Sequence, residues 1–269
     1  MSEPCGIVSD TRATIAAVRA RLADAAGPEL DALMRALDGD SRTGVRALVE
    51  ATRARGRRHE AESSRLEALM SLQRELHARG VLVVAGVDEV GRGALAGPVT
   101  AGAVVLSLDT RIEGLNDSKK LSHGARETVA AEVRERASAW CVAHASAAEI
   151  DALGIAPATR LAWRRALEGL GTPVDHVLVD GNDARGLGSA TTAVVRGDSL
   201  VACIAAASVI AKVARDALMA ELASQYPGYG FEGNRGYGSA DHMERLRLVG
   251  PSTIHRLSFS PCADCERLF

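Results

Sequence analysis

The chain has 269 residues, of which 47% are hydrophobic, and a formal net charge of −2. That length holds one large domain, or one domain with an appendage, and the apolar fraction is ordinary for a globular protein. No apolar run approaches the roughly 18 residues that a membrane span needs, the N-terminus lacks a charged-then-apolar signal pattern, and so near-neutral a charge does not by itself announce a nucleic-acid binder.

Residues 1–79 carry no lysine and are rich in Ala, Leu, Arg and Glu, which favour helix. Apolar residues recur at helical spacing through Ile15, Val18 and Leu22, then Leu30, Leu33 and Leu37, then Val45, Leu48 and Val49, then Leu66, Leu69 and Leu76. Gly27-Pro28, Gly39 and Gly56 punctuate them, so three or four short helices are expected, as an appended domain or helical hairpin. Arg53, Arg55, Arg57 and Arg58 crowd one segment, either as a solvated helix end or as a phosphate contact.

From about residue 80 strand and helix patterns alternate. Val81–Asp88 predicts a strand buried on both faces, with Pro98–Leu106 as its hairpin partner. Ser122 caps a helix to about Ser138, Trp140–Ala145 reads as a strand, Ala158–Leu170 as a helix and Val174–Val179 as a buried strand. A Gly-rich loop then leads to Thr192–Val195. Asp198 or Ser199 caps a long apolar helix from Leu200 to about Gln225, which Pro227 stops. Ser239 caps a last helix to Val249, with Gly250 and Pro251 as stop signals. Alternation within one core predicts an α/β class.

The five cysteines, Cys5, Cys141, Cys203, Cys262 and Cys265, form an odd, scattered set. That argues against a disulfide framework and for a reducing, cytoplasmic setting. Cys262 and Cys265 make one Cys-x-x-Cys, and without a second pair it does not supply the four ligands of a structural zinc.

The chemistry centres on Val83–Pro98. Its buried strand ends in adjacent acids, Asp88 and Glu89, followed by the turn Gly91-Arg92-Gly93. A desolvated carboxylate costs several kcal/mol unless it is compensated, and a cation is the usual compensation. Gly91-x-Gly93-x-x-Ala96 is similar to a dinucleotide-binding fingerprint, but Gly97-Pro98 closes the segment before the required helix has room to form. Asp180 ends a later buried strand before Gly181, and Asp198 starts the long helix, where the dipole favours an anion. Such ends converge at a crevice in α/β sheets. Four converging carboxylates without histidine or cysteine select Mg²⁺ or Mn²⁺, and two such ions roughly 4 Å apart can activate water for phosphodiester cleavage. Strand alternation places Asp88 and Glu89 on opposite faces, so Glu89 joins the set only if the strand ends or bulges there.

Gly86-Val87-Asp88-Glu89-Val90-Gly91-Arg92-Gly93, Asp117-Ser118-Lys119-Lys120-Leu121, Val179-Asp180-Gly181, Gly197-Asp198-Ser199, Ala205 to Asp216 and Gly236-Tyr237-Gly238 together resemble bacterial ribonuclease HII, in order from about residue 80 to Pro261. The resemblance implies a ribonuclease H-like fold, with a mixed sheet flanked by helices, behind an N-terminal helical extension (1–79) and before a short tail (262–269). It implies a metal-dependent endonuclease that cuts RNA in RNA–DNA hybrids and nicks duplex DNA 5′ to an embedded ribonucleotide; separately, a monomer is expected. By position the metal-binding acids are Asp88, Glu89, Asp180 and Asp198. Gly91, Arg92 and Gly93 would sense the ribose 2′-hydroxyl and Tyr237 would stack on the sugar. Lys119, Lys120, Ser208, Lys212 and Arg215 are the remaining substrate contacts. The last three fall on one face of the long helix, and an ion pair with Asp216 is equally open for Arg215. His242 reads as a surface histidine. The extension is expected to aid duplex binding.

Overall fold

The structure, a computed structural model, describes residues 13–188 and 190–266. The chain forms two compact units, residues 1–64 and 65–269. Cys5 and the side chain of Cys265 lie outside what is described, so the Cys-x-x-Cys pair is not placed. Among the described residues no helix is long and apolar enough to cross a membrane.

The first unit contains α1 (Ile15–Asp24), α2 (Gly27–Leu37) and most of α3 (Thr43–Leu69). Thr14 caps α1, and Pro28 occupies the first turn of α2, where a missing N–H costs nothing. Val18, Leu22, Leu33, Val45 and Val49 make its core. Gly56 does not interrupt α3, which runs unbroken for 27 residues. In the arginine segment, Arg53 pairs with Asp38, Arg57 with Glu50, and Arg55 donates to the Leu22 carbonyl.

The second unit begins earlier than the change of texture near residue 80, because Leu66, Leu69 and Met70 pack into its own core. Its elements are the end of α3, α4 (Ser71–Ala78), β1 (Val84–Val90), β2 (Val99–Val105), α5 (His123–Arg136), β3 (Ala139–Ala145), α6 (Ala147–Leu153), α7 (Ile155–Glu168), β4 (His176–Asp180), β5 (Ala190–Val194), α8 (Gly197–Leu200), α9 (Ala202–Gln225), α10 (Phe231–Asn234), α11 (Ala240–Val249) and α12 (Ser260–Glu266). The sheet order is β3-β2-β1-β4-β5. β1, β2 and β3 form an antiparallel meander, and β4 and β5 add in parallel beside β1.

β1 divides its side chains between two cores. Val84 joins the layer under α9, while Ala85 and Val87 join the layer under α7. α9 lies very close to the sheet because two strand positions lack a Cβ. A Cβ on Gly86 would sit 2.2 Å from the Cys203 carbonyl carbon, and one on Gly102 would sit 2.4 Å from the Ala207 carbonyl oxygen. The Ala205-Ala206-Ala207 run, fully buried, completes this close contact.

The long helix is not continuous from Leu200. Val201 is extended (φ −133°, ψ 125°) and separates the short α8 from α9, so neither Asp198 nor Ser199 caps α9. Its start is instead satisfied at long range: buried Gln73 on α4 accepts the Cys203 N–H through Oε1 at 3.1 Å. α6, which has a capping box between Ser146 and Glu149, was not expected from the sequence pattern.

Candidate active site

β1 and β4 run parallel with Val87 beside Val179, so Asp88 and Asp180 emerge at the same end of neighbouring strands. Both preceding valines face the α7 layer, which turns the two carboxylates toward the α9 side. Asp198 comes from α8. Arg196 takes a left-handed backbone conformation (φ 58°) just before it, and the Asp198 N–H donates to Asp180 Oδ1 at 3.4 Å. One oxygen from each of Asp88, Asp180 and Asp198 lies within 4.8 Å of the others.

Crowding of this kind is electrostatically costly without a cation. Burial pushes the Asp88 carboxyl well above the usual range, and Glu89 and Asp180 push it the same way. The Ser208 hydroxyl and the Glu89 N–H, 2.7 Å from Asp88 Oδ1, oppose that rise. Asp198 is raised by burial and then by Asp180 and Asp117, against the pull of Lys119 at 3.5 Å. An all-oxygen donor set with this unspent negative charge fits a hard divalent cation.

Glu89 stands apart from the trio. β1 keeps regular register through Glu89 opposite Ala101 and continues to Val90, so the expected end or bulge at Asp88 does not occur. The Glu89 side chain lies on the α7 face, where Oε2 accepts from buried Trp163 Nε1 at 3.0 Å and Oε1 pairs with Arg92 at 3.2 Å. Burial raises its pKa although Arg92 and Trp163 lower it, and the charge on Asp180 still reaches it.

Around the acids, the Asp117 loop brings both lysines to the site. Lys119 is 80% exposed beside Asp198, and Lys120 Nζ donates to Ser199 Oγ at 3.0 Å. Desolvation lowers the Lys119 pKa, but Asp198, Asp117 and Asp88 outweigh it and leave it raised. Ser208 is buried and shares a hydrogen bond with Ser118 Oγ at 3.0 Å, so it supports Asp88 from beneath. Lys212 is held by Asp216 at 2.7 Å.

Arg215 is not a substrate contact: it has no exposed surface. Its Nε donates to the Pro98 carbonyl at 3.0 Å, Nη1 to Arg235 at 2.9 Å and Nη2 to Ala96 at 3.2 Å. The Asp216 pairing open for Arg215 is the one Lys212 makes. Arg256, which sequence reasoning missed, does the same for the neighbouring turn. It is fully buried and donates to Gly97, Arg92 and Gly91 carbonyls at 3.0, 2.8 and 2.7 Å. Two buried guanidiniums therefore fix the Gly91–Gly93 turn and the loop before Tyr237. The Tyr237 ring, 36% exposed, lies 5.4 Å from Arg215 Cζ. His242 is likewise not on the surface. It is fully buried, with Nδ1 2.8 Å from the Tyr237 carbonyl oxygen and Nε2 3.1 Å from His255 Nε2. The signal for these residues was faint: His255 and Arg256 are polar side chains bracketed by Ile254 and Leu257 outside any periodic element.

A mixed sheet in this order, with three carboxylates gathered beside the ends of its parallel strands β1 and β4, defines a nuclease of the ribonuclease H-like class. A family model described as Ribonuclease HII matches residues 85–262, and one described as Ribonuclease HII N-terminal domain matches residues 14–77. The chain belongs to the ribonuclease HII family. It is 50% identical to Ribonuclease HII of Moorella thermoacetica over 74% of this chain and 96% of that one. It is 43% identical to Ribonuclease HII of Myxococcus xanthus over 91% and 84%. Among solved structures, ribonuclease H2 from Pyrococcus horikoshii superposes with a TM-score of 0.58 at 27% identity, covering 69% of this chain and 98% of that chain. The PCNA:RNase HII complex from Archaeoglobus fulgidus gives 0.58 at 26%, covering 66% and 96%.

Proposed function

We propose that this ribonuclease cuts RNA in RNA–DNA hybrids and nicks duplex DNA on the 5′ side of an embedded ribonucleotide, leaving 3′-hydroxyl and 5′-phosphate ends, in the service of ribonucleotide removal. The observation that carries this reading is the placement of three mutually crowded carboxylates beside the rigid Gly91–Gly93 turn. Asp88, Asp180 and Asp198 would hold divalent ions, Mg²⁺ or Mn²⁺; Glu89, turned to the α7 face yet close enough to feel the charge on Asp180, would be the fourth acid. Such ions, when bound, lower the pKa of water and offset charge on the leaving oxygen.

The chain's own groups do the rest. Lys119 and Lys120 present ammonium groups to backbone phosphates at the rim of the site. Arg92 and the backbone of Gly91 and Gly93 meet the ribose edge, where the 2′-hydroxyl separates RNA from DNA. Tyr237 packs on the sugar at the junction. The helical residues 14–77 add duplex affinity, and the enzyme works as a cytoplasmic monomer. The rival dinucleotide reading loses its support because β2, not a helix, follows the glycine turn.

The test is a labelled duplex carrying one ribonucleotide, incubated with Mg²⁺, with Mn²⁺ and with EDTA. The expected result is a single metal-dependent cut on the 5′ side that disappears in Asp180→Asn. Tight hybrid binding without cleavage by the unaltered protein would instead mark a binding module with a dead site.

A further inference from the structure

The buried histidines His242, on α11, and His255, between α11 and α12, have a role that the chemistry above does not use. Their hydrogen bonds run in one direction. The Ser252 N–H donates to His255 Nδ1 at 2.9 Å, with Ser252 Oγ also 2.8 Å away. An amide donor requires a lone pair, so His255 Nδ1 is unprotonated and the proton sits on Nε2. That Nε2–H faces His242 Nε2 at 3.1 Å, which must therefore accept. His242 then carries its own proton on Nδ1, 2.8 Å from the Tyr237 carbonyl oxygen, which also accepts from the Ser239 N–H at 2.8 Å. Both ring N–H groups meet acceptors, and the Ser252 amide meets a lone pair, only when both rings are neutral and both tautomers are those.

The surroundings enforce this state. Phe231 stands edge-on to His242 with centroids 5.3 Å apart, and Tyr229 lies 4.7 Å from His255 while its hydroxyl donates to the Gly250 carbonyl. Burial, and then the neighbouring His242, push the His255 pKa down to about 4. Burial lowers His242 as well, against the Tyr237 carbonyl.

We infer that His242 and His255 form a fixed-tautomer relay that positions the Tyr237 carbonyl, and with it the Tyr237 ring, and so sets the discrimination of the ribonucleotide junction. The inference rests on the reading of Tyr237 as the residue that packs on the sugar. The pair are positioning residues: neither touches the acids.

The experiment uses the full-length enzyme on the duplex with one ribonucleotide and compares kcat and KM for His242→Phe, His242→Asn, Tyr237→Ala and His242→Phe combined with Tyr237→Ala. Loss of one neutral hydrogen bond corresponds to about tenfold in rate. His242→Phe is expected to lower kcat by about that factor with KM nearly unchanged. His242→Asn restores an N–H donor near Nδ1 and recovers most of the loss. In the Tyr237→Ala background His242→Phe adds nothing, because no ring is left to place. Additive losses, or an unchanged kcat in a folded His242→Phe enzyme, overturn the relay. Full activity of Tyr237→Ala overturns the reading of Tyr237 on which it depends. If His242→Phe does not fold, ¹⁵N NMR of the unaltered enzyme decides: Nδ1–H on His242 with Nε2–H on His255 supports the relay, and any other pair of tautomers refutes it.

Discussion

Gly91 and Gly93 flank the same arginine, yet the structure assigns them opposite consequences on substitution. Gly91 has φ +87°, a left-handed conformation, and a Cβ there would lie 2.1 Å from Arg215 Nε and 2.8 Å from its Cδ and Cζ. The guanidinium has nowhere to go, since its three nitrogens are already bound to the carbonyls of Pro98, Arg235 and Ala96. The left-handed backbone costs about 1–2 kcal/mol for an alanine. Overpacking against a pinned buried side chain adds about 1–3 kcal/mol. Gly91→Ala should therefore lose about 2–5 kcal/mol, read as a drop of roughly 1 M in the urea midpoint with an unchanged slope. Gly93 has open space around its Cβ position and no left-handed backbone. Gly93→Ala should unfold within about 0.5 kcal/mol of the unaltered chain. It should nevertheless cleave the single-ribonucleotide duplex at least about tenfold more slowly, because on the proposed contact between this turn and the sugar the methyl group would meet the ribose. Urea unfolding followed by tryptophan fluorescence, with cleavage rates on the same preparations, separates the two effects. Equal midpoints for Gly91→Ala and the unaltered protein would refute the pinned-guanidinium argument. Full activity in Gly93→Ala would refute the contact between this turn and the sugar.

Asp88→Asn and Asp198→Asn should each abolish cleavage, and EDTA should do the same reversibly to the unaltered enzyme; residual cutting in EDTA would contradict the cation requirement inferred from the crowded trio. Arg256→Lys keeps the charge but not the fork that reaches Gly91, Arg92 and Gly97, so it should lower stability by about 2–3 kcal/mol in denaturant titrations; a neutral effect would mean those carbonyls find other donors. Trp163→Phe should reduce cleavage while leaving the melting temperature within a few degrees, since it removes the donor to Glu89 and keeps the apolar contact; unchanged kinetics would show that the indole does not matter to Glu89. Glu149 pairs with Arg165 and caps α6, and its side-chain bond to Arg165, followed by the Ser146 N–H, brings its pKa down to about 2. Because the folded value is lowered, its contribution, about 1 kcal/mol after solvent screening, is present above pH 4.5 and fades as pH falls toward 2. The stability difference between the unaltered protein and Glu149→Gln should shrink over that window, and a constant difference would argue against the linkage.

Local information carried much of this molecule. Alternating and continuous apolar runs located β1 through β4, Ser122 and Ser239 marked helix starts, and Gly250 marked a helix end, because these are properties of neighbouring residues. Asp180 and Asp198 were legible for the same reason, each being an acid beside glycine or serine at an element end, and Asp88 was legible as an acid closing an unbroken apolar run; the parallel pairing of β1 with β4 brings Asp88 and Asp180 together.

What the sequence alone did not decide was how polar groups are partnered across long chain separations. Whether Glu89 stands with Asp88 depends on the register of β1 against β2 and on Trp163, 74 residues away. The start of α9 is capped from Gln73, 130 residues upstream, so local cap rules misplaced it. Arg215, Arg256 and His242 have side chains that ordinarily face water, and only the packed fold supplies the backbone carbonyls that make their burial tolerable. Periodicity reports which face of an element is apolar; it is blind to a buried donor whose acceptor lies on a different loop.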